Sequence, residues 1–128
     1  ILNASIKNNQ REIEIEIRSL RAADKLLLAV PANSQLKKFK LNEIEYEAVL
    51  SRYFSDDFFA IRLAGVYEKP IVLTLTFNSS APITGAYLAD ISTELPPNAE
   101  KILKNRTKLS VPSGHGGDTA TLFRSISF

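Results

Sequence analysis

The sequence predicts an antiparallel β-sandwich of about eight or nine strands with at most one short helix. Three observations lead there. Arg11–Ser19 reads Arg-Glu-Ile-Glu-Ile-Glu-Ile-Arg-Ser, a strict two-residue alternation. Pro70–Phe77 sets Ile71, Leu73, Leu75 and Phe77 against Val72, Thr74 and Thr76. Comparable short apolar stretches recur along the chain between turn residues. Successive strand side chains point to opposite faces, so each alternating segment has one dry face and one wet one. Wound as a helix, Arg11–Ser19 would scatter its isoleucines and crowd β-branched side chains against the preceding turns. A strand with one dry face needs a covering layer, and the other strands supply it.

Taken in order, Ile1–Lys7 places Leu2, Ala4 and Ile6 on one face, and Asn8-Asn9-Gln10 turns it into Arg11–Ser19. A polar connection, Leu20–Asp24, leads to the continuous apolar run Lys25–Pro31, which Pro31 stops. Ala32-Asn33-Ser34 is a turn. Gln35–Leu41 alternates imperfectly, and Asn42-Glu43 turns it into Ile44–Tyr46. Glu47–Phe54 fits either a helical turn or a loop lining the core, with Ala48, Val49 and Tyr53 inward. Phe58–Leu63 alternates Phe59, Ile61 and Leu63 with Phe58, Ala60 and Arg62. Gly65–Lys69 connects it to Pro70–Phe77. Asn78–Pro82 turns the chain into a strand over Ile83–Ile91, which Leu95-Pro96-Pro97 breaks. Asn98–Lys104 suits a short helix, since Ala99, Ile102 and Leu103 share a face. Ser110–Asp118 is a Gly-rich loop, and Thr119–Phe128 closes the chain with Leu122, Arg124, Ile126 and Phe128 facing one way.

Composition narrows the function classes. The 128 residues suit a single domain, 1–128, large enough to bury a core. An apolar fraction of 45% with 23% charged argues against disorder. A net charge of +2 is too weak to point to nucleic acid or an anionic membrane. With no Cys, disulfides, cysteine zinc sites and thiol chemistry are removed together. The chain has no Met and opens on Ile1, so the expectation is an excised piece of a longer product. No run approaches the roughly 18 apolar residues of a membrane span, and no signal-peptide pattern is present.

No catalytic constellation stands out. His115 is the only histidine, and it sits between Gly114 and Gly116, where a general base would be poorly held. A triad of His115 with Asp118 and a serine is formally possible, but a solvated loop is the better reading. Asp56-Asp57, and Asp90 with Glu94, offer oxygen ligands for calcium, yet adjacent carboxylates at turns are more often simply solvated. Lys37, Lys38 and Lys40 read as a solvated strand edge that discourages pairing. Tyr46, Tyr53, Phe54, Phe58, Phe59, Tyr67 and Tyr87 could include a sugar-stacking platform, with core packing the favoured use for most. Asn3-Ala4-Ser5, Asn78-Ser79-Ser80 and Asn105-Arg106-Thr107 match the glycosylation acceptor pattern. The candidate interaction site is the loop of Ser110, Val111, Pro112, Ser113, Gly114, His115, Gly116, Gly117 and Asp118. It has no large side chain to hold it down and leads straight into the last strand.

Several stretches together resemble one family. Arg18-Ser19-Leu20-Arg21-Ala22 follows the charged alternating strand, and Leu41-Asn42-Glu43 follows a second pair of strands. Tyr53-Phe54 then leads into Phe58–Leu63 and Pro70–Phe77. Asp90-Ile91-Ser92-Thr93-Glu94-Leu95-Pro96 resembles an Asp-x-Ser-x-Gly-Leu-Pro segment, with Glu94 in place of the Gly. The stretch from Gly117-Asp118-Thr119 to Phe128 resembles the family's chain terminus. This order is similar to the C-terminal β-domain of membrane-bound, vacuolar-protease-like zinc aminopeptidases. The resemblance implies a non-catalytic extracytoplasmic domain, tethered through transmembrane helices to a peptidase domain upstream. It implies that zinc and its ligands belong to that upstream part, and that no residue here is catalytic, cofactor-binding or metal-binding. The partners it implies are the peptidase and transmembrane parts of the same chain, for binding, covering or assembly. The alternative is a free-standing recognition sandwich, carbohydrate-binding or adhesin-like.

Overall fold

Alternation in sequence becomes two facing sheets in the computed structural model, which describes residues 1–19, 23–50, 57–66, 69–92, 98–104 and 120–128. These residues form β1 (Asn3–Lys7), β2 (Gln10–Ile17), β3 (Lys25–Pro31), β4 (Leu36–Leu41), β5 (Ile44–Glu47), β6 (Phe58–Ala64), β7 (Ile71–Phe77), β8 (Ala86–Ser92), the helix α1 (Ala99–Lys104) and β9 (Ala120–Ile126). One sheet runs β1-β2-β7-β4-β5 and the other β6-β3-β8-β9, with every pairing antiparallel. The chain is thus an all-β sandwich, as its alternation predicts.

The isoleucine face of β2 and the Leu73/Leu75/Phe77 face of β7 are neighbours in one sheet, Ile13 opposite Leu75 and Ile15 opposite Leu73. Both press onto Leu26, Leu28 and Val30 of β3 and Ile61 and Leu63 of β6 in a single core. β3 is dry on both faces: Leu27 and Ala29 are buried as well, on the side away from that core. A central strand buried on both faces loses its alternation, which is why Lys25–Pro31 reads as a continuous apolar run.

The two hairpin turns are made by left-handed residues, Asn8 and Asn9 (φ 51° and 62°) and Asn42 and Glu43 (φ 50° and 70°). Consecutive positive φ values match the right-handed twist of the flanking strands, and asparagine tolerates them best among the residues with a Cβ. Between β3 and β4 a single 3₁₀ turn spans Ala32–Ser34.

Several expectations need correction. Lys37, Lys38 and Lys40 do not form a sheet edge, because β5 pairs outside β4 and takes that position. The strand expected from Ile83 starts at Ala86; Ile83 instead exchanges two backbone hydrogen bonds with Phe128, at 2.9 and 3.0 Å. Tyr46 and Tyr87 are not core residues; each lies exposed against a phenylalanine. Thr76, expected on a partly wet face, is buried between Glu12 and Lys38 on the adjoining strands. Beyond β5, Ala48 packs on the core while Val49 is exposed, and Leu50 bridges to Phe59.

Candidate interaction edge

Side-chain direction in the second sheet follows from its register. Leu26 and Leu28 face the core, and opposite them on β8 stand Asp90 and Leu88. Opposite these on β9 stand Leu122 and Arg124. Leu122, Arg124 and Ile126 therefore share the core-side face, as the alternation predicts, while Phe123 points to the other side. Yet Leu122 is 57% exposed and Phe123 65%. Ile126 packs against the core, whereas Leu122 and Arg124 border an opening instead of a packed interior.

That opening is a cleft of about 320 Å³, bordered by Arg18 and Ser19 at the end of β2 and by Leu26, Leu88, Leu122, Phe123 and Arg124 from the other sheet. A second opening of about 340 Å³ shares Arg18, Leu88 and Arg124 and continues toward Ile126 and Phe128. Asp90 sits in the wall of the first, where its carboxylate accepts a hydrogen bond from Ser19 Oγ at 2.8 Å. The same hydroxyl accepts from the Ala23 amide at 3.0 Å, so the buried Ser19 fixes the exit of β2 against β8. Farther along, Arg11 donates from Nη1 to the carbonyls of Ala81 and Phe128, at 3.1 and 3.3 Å. These bonds tie Phe128, just past β9, to β2.

The outer face of the first sheet carries a different pattern. Glutamates on β2, threonines on β7, lysines on β4 and glutamates on β5 follow one another across the sheet. Lys38 donates to Glu45 at 2.7 Å. That hydrogen bond raises Lys38 above its ordinary value and lowers Glu45 below its own. Such solvated pairs contribute little to stability and mark a wet face.

The loop Ser110–Asp118, with His115, lies outside the described residues, as do Asp56, Glu94, Tyr53, Phe54, Tyr67 and Asn105. Of the carboxylates considered for metal, Asp57 and Asp90 are described. Among the described residues no three or more His, Cys, Asp or Glu side chains gather as a metal site. The structure therefore shifts attention from the Gly-rich loop to the strand that follows it. The cleft is not legible in the sequence because Arg18 and Arg124 come from opposite sheets, and alternation gives faces without saying which faces meet. No family model, curated protein or solved structure matches the chain.

Proposed function

We propose that this chain is a non-catalytic, extracytoplasmic C-terminal domain of a membrane-anchored zinc metallopeptidase, acting as an interaction, covering or assembly module. One structural observation supports the interaction role: two consecutive large apolar side chains, Leu122 and Phe123, are exposed on the two faces of a strand that is an edge among the described residues. Exposed apolar surface at a sheet edge is a liability unless a partner uses it. The parentage rests on the order of segments that resembles the aminopeptidase C-terminal domain. In this reading the partners are the peptidase and transmembrane parts of the same chain, Ser110–Asp118 adds a contact beside β9, and zinc is bound upstream. No described helix is long and apolar enough to cross a membrane, and the spans in this reading precede Ile1.

A free-standing recognition sandwich is the second reading. The Phe39–Tyr46 stack favours it, with ring centroids 5.1 Å apart and Tyr46 42% exposed, a flat surface suited to a sugar ring. The coding sequence upstream of Ile1 separates the two. Apolar spans preceded by a domain bearing His, Asp and Glu metal ligands are expected; a secretion signal directly before Ile1 would contradict the first reading. The purified domain is expected to hold no zinc and cleave no peptide. Stoichiometric zinc, or cleavage abolished by His115→Ala, would overturn the non-catalytic reading.

A further inference from the structure

β9 is the last strand of its sheet, so among the described residues nothing pairs with its outer row of backbone N–H and C=O groups. Leu122 and Phe123 point to opposite faces, which makes both sides of this edge apolar at the same point. Arg124 stands two residues from Leu122 on the same face, and Arg18 reaches the same cleft from the opposite sheet. Neither guanidinium has a hydrogen-bond or ion-pair partner among the described residues. The carboxylate in the wall, Asp90, is engaged by Ser19. Among the described lining residues, two cations stand against one anion, which favours an anionic occupant.

We propose that β9 accepts an extended acidic peptide segment as a further strand of its sheet. The carboxylate of the added strand lies between Arg18 and Arg124. An apolar side chain two residues away covers Leu122, and the residue between them, also apolar, packs beside Phe123 on the opposite face. Main-chain bonds to the open edge supply affinity, and alternate side-chain positions supply specificity. Charge complementarity selects the occupant, since a guanidinium–carboxylate hydrogen bond is stronger than a neutral one. It also argues against a second copy. Pairing β9 with itself about Phe123 or Arg124 brings the two arginines diagonal to or opposite one another, and like charges across strands are unfavourable. This rests on the reading of the chain as an interaction module and adds the chemistry of the partner. It does not depend on the partner being a peptidase.

The test uses two capped peptides of about eight residues, enough for one strand, alike in alternating apolar pattern. One carries Glu and the other Lys at the positions facing Arg124; a third is the Glu peptide with proline at alternate positions. Titrated against the whole chain, the Glu peptide is expected to bind at least about tenfold more tightly than the Lys and proline peptides. It is also expected to slow amide exchange along β9. Arg124→Glu should reverse the preference, and Arg18→Glu, on a different strand and also exposed, should weaken Glu-peptide binding. Equal binding of all three peptides, no binding of any, or concentration-dependent self-association through β9 would overturn the proposal. Failure here beside a peptidase domain encoded upstream would remove the acidic partner and leave the parentage standing.

Discussion

Ser19 joins the two sheets with one hydroxyl, donating to Asp90 and accepting from the Ala23 amide while itself buried. Ser19→Ala removes both bonds and leaves the Ala23 N–H without its acceptor. The expected cost is about 1–3 kcal/mol of stability, measured by urea unfolding; an unchanged midpoint would mean the hydroxyl holds nothing. The surface pair Lys38–Glu45 behaves oppositely, as a local and pH-dependent feature. Glu45 is lowered chiefly by the Lys38 hydrogen bond, so its contribution is present above the ordinary carboxylate value and lost as pH falls through the lowered one. Lys38 is raised by the same bond, and its contribution is lost only as pH rises through that higher value. Carboxyl chemical shifts followed through an acid titration should give Glu45 a midpoint below the usual range, returning toward it in Lys38→Gln. Thermal stability near neutral pH should barely change in that variant, because both partners are solvated.

Two strands with the same alternation have different fates, and their contrast tests the packing. Ile15 on β2 lies 5% exposed at the centre of the core, whereas Ile6 on β1 is 58% exposed. Ile15→Asp places an unpaired charge in apolar surroundings and is expected to cost several kcal/mol, unfolding much of the protein. Ile6→Asp is expected to stay within about 0.5 kcal/mol of the parent, the usual range for surface changes. Equal melting temperatures for the two variants would contradict the arrangement of β1 outside β2. Strand existence and hairpin turns were legible in the sequence because they are local: isoleucines every second residue in β2, Asn-Asn and Asn-Glu at the turns. Edge and centre were not legible, because they depend on distant partners. Lys37, Lys38 and Lys40 read as an edge, yet β5 pairs outside them, and alternation does not say which of the aromatics, such as Tyr46, lie on a strand at the rim.

For the molecule as a whole, the connections cross repeatedly between sheets, and β2 finds its second partner, β7, only after four intervening strands. Long-range pairing of this kind defers its reward until distant segments meet, so refolding after rapid dilution from urea is expected on the millisecond-to-second scale typical of β-sandwiches. The same architecture leaves β9 at one flank, with its far end tied by Arg11 and its middle exposed. The sequence placed the functional interest in Ser110–Asp118; the structure adds the strand next to it, whose apolar and cationic side chains provide a chemical reason for contact. On the proposed parentage, amide hydrogen exchange compared between this chain alone and the longer protein of that proposal tests this most directly. The account predicts slow exchange along β2 and β7 in both, with the β9 amides that do not face β8, and those of Ser110–Asp118, gaining protection only in the intact protein. Equal exchange of β9 and the loop in both would contradict the claim that this edge is where the domain meets its partner.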